Sequence, residues 1–385
     1  VYEYLGPDST MDLSTPGLFI NPGLWREVVN AGATPDGVSR AASTDALAAV
    51  RKGSWVEDRR DLVSVTIRLA DDVNIKAQGD VAARARADVV LGAQGDLQIA
   101  TGVRSALDPW GIDAGGRLVL GASGAITASA TSSRAWLLRS GGDMRLASGS
   151  EGDQALAGRI ADLNNQALKI SVGPNGQAQA VGSLFDPGVL EVTAAGRVLL
   201  QQSSGDLWLA SVSSSGTGAD GAISLQAPLG EILASERAEH RGITHISGTD
   251  VTLGAGTLSA PTGARNIGSL VTPLHLTAQT LRAAANTTQS ATLNLVNAGD
   301  LELRELGMFR GPAQISAEGS LTVTGAISLS SDSNLVKLSA LGGALALRAD
   351  MSGSNTRLNL SGDAISQGPL SNISLFNGTV SLQAG

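Results

Sequence analysis

The sequence predicts an all-β protein, a parallel β-solenoid, and three observations carry that prediction. The first is a recurring unit: a short apolar strand, a Gly with a small or acidic residue, then another apolar strand. Copies run over Asp88–Ile99, Arg117–Ile126, Arg197–Leu209, Ala291–Leu303 and Ala313–Val323. Self-similarity at roughly 20 to 30 residues, built from strands alone, marks a solenoid. No copy can bury its apolar face alone, so the copies must stack. The second observation is composition. Of 385 residues 42% are apolar but only 3% aromatic, with 48 Gly against 12 Pro. That suits a thin core of small aliphatic side chains and many tight turns. The third is periodicity. Val63–Leu69 and Val73–Ala77 alternate apolar and polar residues, the period of a half-buried strand, and no long run at helical spacing occurs after Leu62. A β-sandwich would instead need Asn-Gly or Asp-Gly hairpin turns. Asp36-Gly37, Asp220-Gly221 and Asn377-Gly378 offer them, too few for a general connector.

Taken in order, residues 1–30 read as a small aromatic β module. It opens on the strand Val1–Leu5, ends in Leu24–Val29, and holds both Tyr residues and one of the five Trp. Residues 31–61 form a linker that is Ala-, Ser- and charge-rich. Within it Leu47 and Val50, with Ser43 as cap, predict one short helix over Ser43–Lys52. The mixed-sign run Glu57–Asp61 is a solvated entry to the first strong strand. Residues 62–385 form the β-helix itself, with further strands predicted at Ala167–Val172, Val189–Ala194, Leu335–Leu341, Arg357–Leu360 and Thr379–Leu382. Alternation at Thr292–Leu295 turns Leu293 and Leu295 inward and Thr292 and Asn294 outward. Ile267–Thr277 is the least regular stretch.

Composition also bounds function. A net charge of −8 and a pI near 5.0 argue against nucleic acid or an anionic membrane surface as partner. The absence of Cys excludes disulfides, thiolate metal sites and Cys nucleophiles. No apolar run approaches the ~18 residues of a membrane span. The chain begins with Val and shows no signal peptide, which leads us to expect an internal piece of a longer polypeptide.

The rungs Gly95-Asp96-Leu97-Gln98-Ile99 and Gly319-Ser320-Leu321-Thr322-Val323 resemble those of filamentous haemagglutinins and other giant bacterial exoproteins and adhesins. The opening Val1–Gly6, with Asp12-Leu13 and Leu24–Val28, is similar to a module that recurs between β-helical stretches of such proteins. Asn266–Ser269, Pro273–Leu276 and Leu281–Ala283 look like another element of their shafts. The resemblance covers about residues 62–385, although the family's Asn-Pro-Asn-Gly-Ile secretion motif is absent. It implies a right-handed parallel β-helix and a place outside the cell or on the bacterial cell surface. It implies a structural shaft segment serving adhesion, cell–cell contact or filament and matrix scaffolding. Partners would be other copies of the chain, other surface proteins or glycans. The alternatives are a β-helical polysaccharide-acting enzyme and a glycan-binding module.

Gly-Asp pairs place Asp80, Asp96, Asp143, Asp206, Asp300 and Asp363 at corners, where a stacked ladder could hold Ca²⁺. The dense calcium-binding nonapeptide is missing, so these Asp read as turn formers that bond backbone amides. His240, His245 and His275 lack metal-ligand spacing and read as solvated loop residues. Arg68, Asp71 and Asp72 could imitate the carboxylate and cation set of a lyase, but short rungs offer no cleft wall. No Gly-x-Ser-x-Gly elbow occurs around Ser123 or Thr217. Trp55, Trp110, Trp136 and Trp208 could stack on sugars if two shared an exposed face. The expectation is therefore no catalytic, metal or cofactor residue, and no enzyme.

Overall fold

A computed structural model describes residues 2–4, 25–27, 65–69, 73–77, 83–85, 89–93, 96–101, 112–130, 137–150, 158–162, 166–173, 179–181, 184–257, 265–285, 290–308, 310–329 and 335–385. Among them the chain is all-β, a parallel β-solenoid, with two 3-10 turns at Gly218–Gly221 and Ala238–His240 and no α-helix. The helix expected at Ser43–Lys52 lies outside the described residues. The chain forms two compact units, Val1–Leu200 and Gln201–Gly385.

In the first unit each turn of the coil supplies three strands, such as Leu118–Ala122, Ile126–Ala130 and Leu137–Ser140. Met144–Ser148 then lies parallel to Leu118–Ala122, with Leu118 opposite Met144 and Leu120 opposite Leu146. The same column passes through Val65, Val89, Leu118, Met144 and Leu190. Because side chains alternate with a period of two, unshifted register places every inward residue over another inward residue. Leu118, Leu120, Met144 and Leu146 are fully buried, and Arg145 between the last two is exposed. Each fully buried aliphatic side chain contributes about 2 kcal/mol. Among the described residues two pairs depart from the parallel rule. Tyr2–Tyr4 runs antiparallel to Trp25–Glu27, placing Tyr4 opposite Trp25, and lies parallel beside Val65–Leu69. Gln179–Val181 and Leu184–Asp186 form an antiparallel hairpin.

From Leu293 onward the second unit repeats the plan on a shorter turn. Leu293, Ala313, Val336, Leu358 and Val380 form one column. Leu301, Leu321, Leu345 and Ile365 form a second, and Leu306, Ile327, Met351 and Ile373 a third. Ser339 and Ser361, 22 residues apart, bond hydroxyl to hydroxyl at 2.9 Å. In the first unit the equivalent separation, Asp96 to Ala125, is 29 residues. Corners are tight: Gly205 turns at φ 67°, and a Cβ on Gly230 would fall on the Gly205 carbonyl of the preceding turn.

One inside–outside expectation is corrected. Leu293 and Leu295 are buried as expected, but Asn294 is only 7% exposed. The turn Ser269–Thr272 on the preceding rung covers it, and Asn294 Nδ2 donates to Ser269 O at 2.7 Å. Alternation predicts which way a residue points from the sheet. It does not predict what an earlier rung folds over it.

Candidate functional site

The corner residue that immediately precedes a strand recurs in one role. Its side chain accepts a hydrogen bond from the backbone N–H of the equivalent residue one rung later. Asp96 Oδ1 accepts from Ala125 N at 2.7 Å, and Asp143 Oδ1 from Val189 N at 3.0 Å. Asp206 Oδ1 accepts from Glu231 N at 3.0 Å, Asp300 Oδ1 from Ser320 N at 2.7 Å, and Asp350 Oδ1 from Asn372 N at 2.9 Å. In the second unit the device runs over consecutive rungs. Glu231 Oε1 accepts from Asn266 Nδ2 at 2.6 Å, and Asn266 Oδ1 from Thr292 N at 2.6 Å. A corner amide has lost its neighbour in the strand ladder, and a buried unpaired N–H costs about 1–3 kcal/mol. The staple removes that cost. Gly-Asp was thus a legible signal, but Asp350, Glu231 and Asn266 were missed. Their shared mark is an acceptor side chain directly before Leu, Ile or Met. Asp80 lies outside the described residues, and Asp363 is exposed.

The stapled carboxyls of Asp206 and Glu231 are both raised above their ordinary values, chiefly by burial. Asp206 adds charge repulsion at Glu231, and Arg265 partly offsets the rise at both. Raised carboxyls suit general acids, yet here an oxygen of each is already engaged by the next rung. On the sheet formed by Asp250–Ala255, Thr280–Ala285 and Leu301–Met308 a set of carboxylates and Arg does share one outer face. Arg282 Nη1 grips both carboxylate oxygens of Asp250 at 2.9 Å, and Arg304 pairs with Glu302 at 3.1 Å. Thr324 Oγ1 donates to Glu302 at 2.7 Å. Burial works to raise Asp250, but Arg282, Thr280 and Arg304 outweigh it and hold the carboxyl below its usual range. Bonds from Arg304 and Thr324 likewise hold Glu302 down. Carboxylates held down are ion-pair partners rather than proton donors. Arg68, Asp71 and Asp72, the trio singled out in the sequence, have no described side chains.

The most distinctive place in the second unit is where two successive rungs open outward. Leu207–Ser214 pairs through Leu207–Leu209 with Ile232–Ala234 and through Val212–Ser213 with Ile246–Ser247. Residues 235–245 leave the sheet between those two partners. On the next rung Ile267 bridges Ile232, and Leu276 pairs with Ile246, so residues 268–273 leave at the same place. The rung after that, Leu293–Asn297, closes again, with Ile267 opposite Leu293 and Leu274 opposite Leu295.

All three histidines collect here. His240 Nδ1 lies 2.8 Å from Ser235 Oγ. His245, expected as a solvated loop residue, is only 3% exposed. It immediately precedes a strand, and its Nδ1 accepts the His275 backbone N–H at 3.1 Å. It therefore occupies a staple position in the manner of Asp206. The His245 and His275 rings are 5.8 Å apart between centroids. Burial, reinforced by the charges of His275 and His240, pushes the His245 imidazole down to about 4. Above this base, Leu270 and Val271 form an apolar tip, 72% and 91% exposed. The turn beneath them is closed by Ser269 N to Thr272 O at 2.9 Å and Thr272 N to Ser269 Oγ at 2.8 Å.

No family model, curated protein or solved structure matches this chain. Among the described residues no group of three or more His, Asp or Glu is arranged to hold a metal ion. No helix among them is long and apolar enough to cross a membrane. Trp208 is half-buried between the fully buried Leu207 and Leu209. Trp55, Trp110 and Trp136, its candidate partners in sugar stacking, lie outside the described residues.

Proposed function

We propose that this chain is a structural shaft segment of a large exported protein, resembling the filamentous haemagglutinin-type exoproteins, on the cell surface or outside the cell. Its work is mechanical: to present or space binding modules for adhesion, cell–cell contact or matrix scaffolding. The observation that carries this reading is the staple system. Side chains that could serve chemistry, Asp96, Asp143, Asp206, Glu231 and Asn266, are spent on tying one rung to the next. Load along such a stack is shared by parallel ladders and by these side-chain bonds. Asp250 with Arg282 and Glu302 with Arg304 are likewise spent on pairing with each other.

The partners this reading names are other copies of the chain, other surface proteins or glycans. Antibodies raised against the chain should label intact cells that express the parent protein, and external protease should remove the label. Labelling only after permeabilisation would overturn the surface assignment. Release of reducing ends from a panel of polysaccharides would overturn the structural one.

A further inference from the structure

We propose that His245 is an acid-released latch at the base of the two outward excursions, residues 235–245 and 268–273. Such a latch depends on the fold alone, whatever the shaft carries.

The geometry requires a neutral ring. His245 Nδ1 can accept the His275 N–H only through its lone pair, so the proton of the neutral imidazole sits on Nε2. A second proton converts Nδ1 into a donor that faces another donor. It also leaves a cation at a site only 3% exposed. Among the described residues no neighbour offsets it. The preceding strand, Leu207–Ser214, contains no titratable residue, nor does Leu293–Asn297 two rungs on. The next strand, Leu274–Thr277, contributes His275. The excursion carries Glu236, Arg237, Glu239, His240 and Arg241. Of these His240 bears on the ring, and like His275 it opposes a positive charge there. The carboxylates Glu236 and Glu239 are exposed.

His245 also supports both excursions at once. Its N–H donates to His275 O at 2.9 Å and its C=O accepts from Val212 N at 2.8 Å. Losing the Nδ1 bond therefore loosens the point where three rungs meet. The direction comes from linkage. The folded value of about 4 lies below the ordinary 6.5, so the unfolded chain takes up the proton first. The stability His245 confers is complete above pH 6.5 and is lost as the pH falls from there toward 4. A carboxylate with a depressed pKa also fails on acidification, by losing a charge. The His latch fails by gaining one.

Amide hydrogen exchange, corrected for intrinsic rates, tests this between pH 7 and 4.5. Protection at Val212, Ile246 and Leu276 should fall at least tenfold, while Val336 and Leu358 in the closed rungs hold theirs. His245→Asn keeps an acceptor near Nδ1 but cannot titrate, so it should abolish the selective loss. Equal loss at both sets of amides, no loss, or the same selective loss in His245→Asn would overturn the proposal. Should that variant not fold, an NMR titration of the His245 ring in the native chain decides. A midpoint below 5.5 that coincides with the loss of protection supports the latch. Any other midpoint, or one that does not coincide, overturns it.

Discussion

Rungs 293–385 and rungs 207–277 of the second unit are built on one ladder but handle the outer edge differently. In the later rungs successive strands are joined by short corners, and identical or similar residues stack: Ser339 on Ser361, Asn355 under Asn377 at 2.7 Å. In the earlier rungs the sheet that contains Leu207–Ser214 splits, and the chain leaves and re-enters it twice. Inward positions are the same kind in both, with Leu276 and Leu295 each almost fully buried. What differs is the corner chemistry. The split rungs place a titratable imidazole at the base of the opening and two raised carboxyls at the corner before Leu207 and Ile232. A solenoid can therefore keep its apolar interior constant and vary its outer edge, because each rung needs only its two neighbours.

The comparison breaks most visibly at inward positions. Leu295→Asp should cost about 4 kcal/mol in urea unfolding, since a charge between stacked rungs has no route to water. Val271→Asp, on the exposed tip, should stay within about 0.5 kcal/mol. Equal costs would show that the split rungs are misassigned. Gly230→Ala should cost about 2 kcal/mol, because its Cβ meets the Gly205 carbonyl and the corner must shift. Asn294→Ala should cost about 1.5 kcal/mol by orphaning the Ser269 carbonyl. Gln314→Ala, at the register position opposite Asn294 but exposed, should change stability by less than about 0.5 kcal/mol.

The smallest effect is expected at the raised carboxyl of Asp206. Its folded value lies above 3.8, so the folded state holds its proton more tightly than the unfolded chain. The ionised form therefore weakens the fold as the pH rises through the raised value. Asp206→Asn retains an acceptor for Glu231 N and removes that charge. It should be neutral or slightly stabilising at pH 7, with the difference vanishing below about pH 3.8. Denaturation midpoints of the two proteins across pH 3 to 7 check the sign.

Fold class was legible because alternation and Gly-Asp corners are local signals that survive in each copy. Leu118-Val119-Leu120 and Met144-Arg145-Leu146 read as half-buried strands by themselves, and stacking is dictated by what they leave uncovered. The roles of Glu231, Asn266 and His245 were not legible, because a staple is defined by a residue one rung away. Rung length varies, with side-chain bonds spanning 25 residues at Asp206, 35 at Glu231 and 26 at Asn266. No fixed period could reveal their alignment. Asn294 failed for the related reason that its cover comes from the preceding rung.

The central claim, a parallel stack held in unshifted register along Ala313–Ala317, Leu335–Ala340, Arg357–Gly362 and Thr379–Ala384, predicts one column of outward residues: Gln314, Lys337, Asn359 and Ser381. The chain has no Cys, so pairs of introduced cysteines can carry nitroxide labels without background. Neighbouring rungs of a parallel ladder lie ~4.8 Å apart. Lys337→Cys with Asn359→Cys should show strong dipolar broadening in frozen-solution electron paramagnetic resonance. Lys337→Cys with Ser381→Cys, at about twice the backbone spacing, should show clearly weaker broadening. Absent broadening in the first pair, or stronger broadening in the second, would contradict the stack.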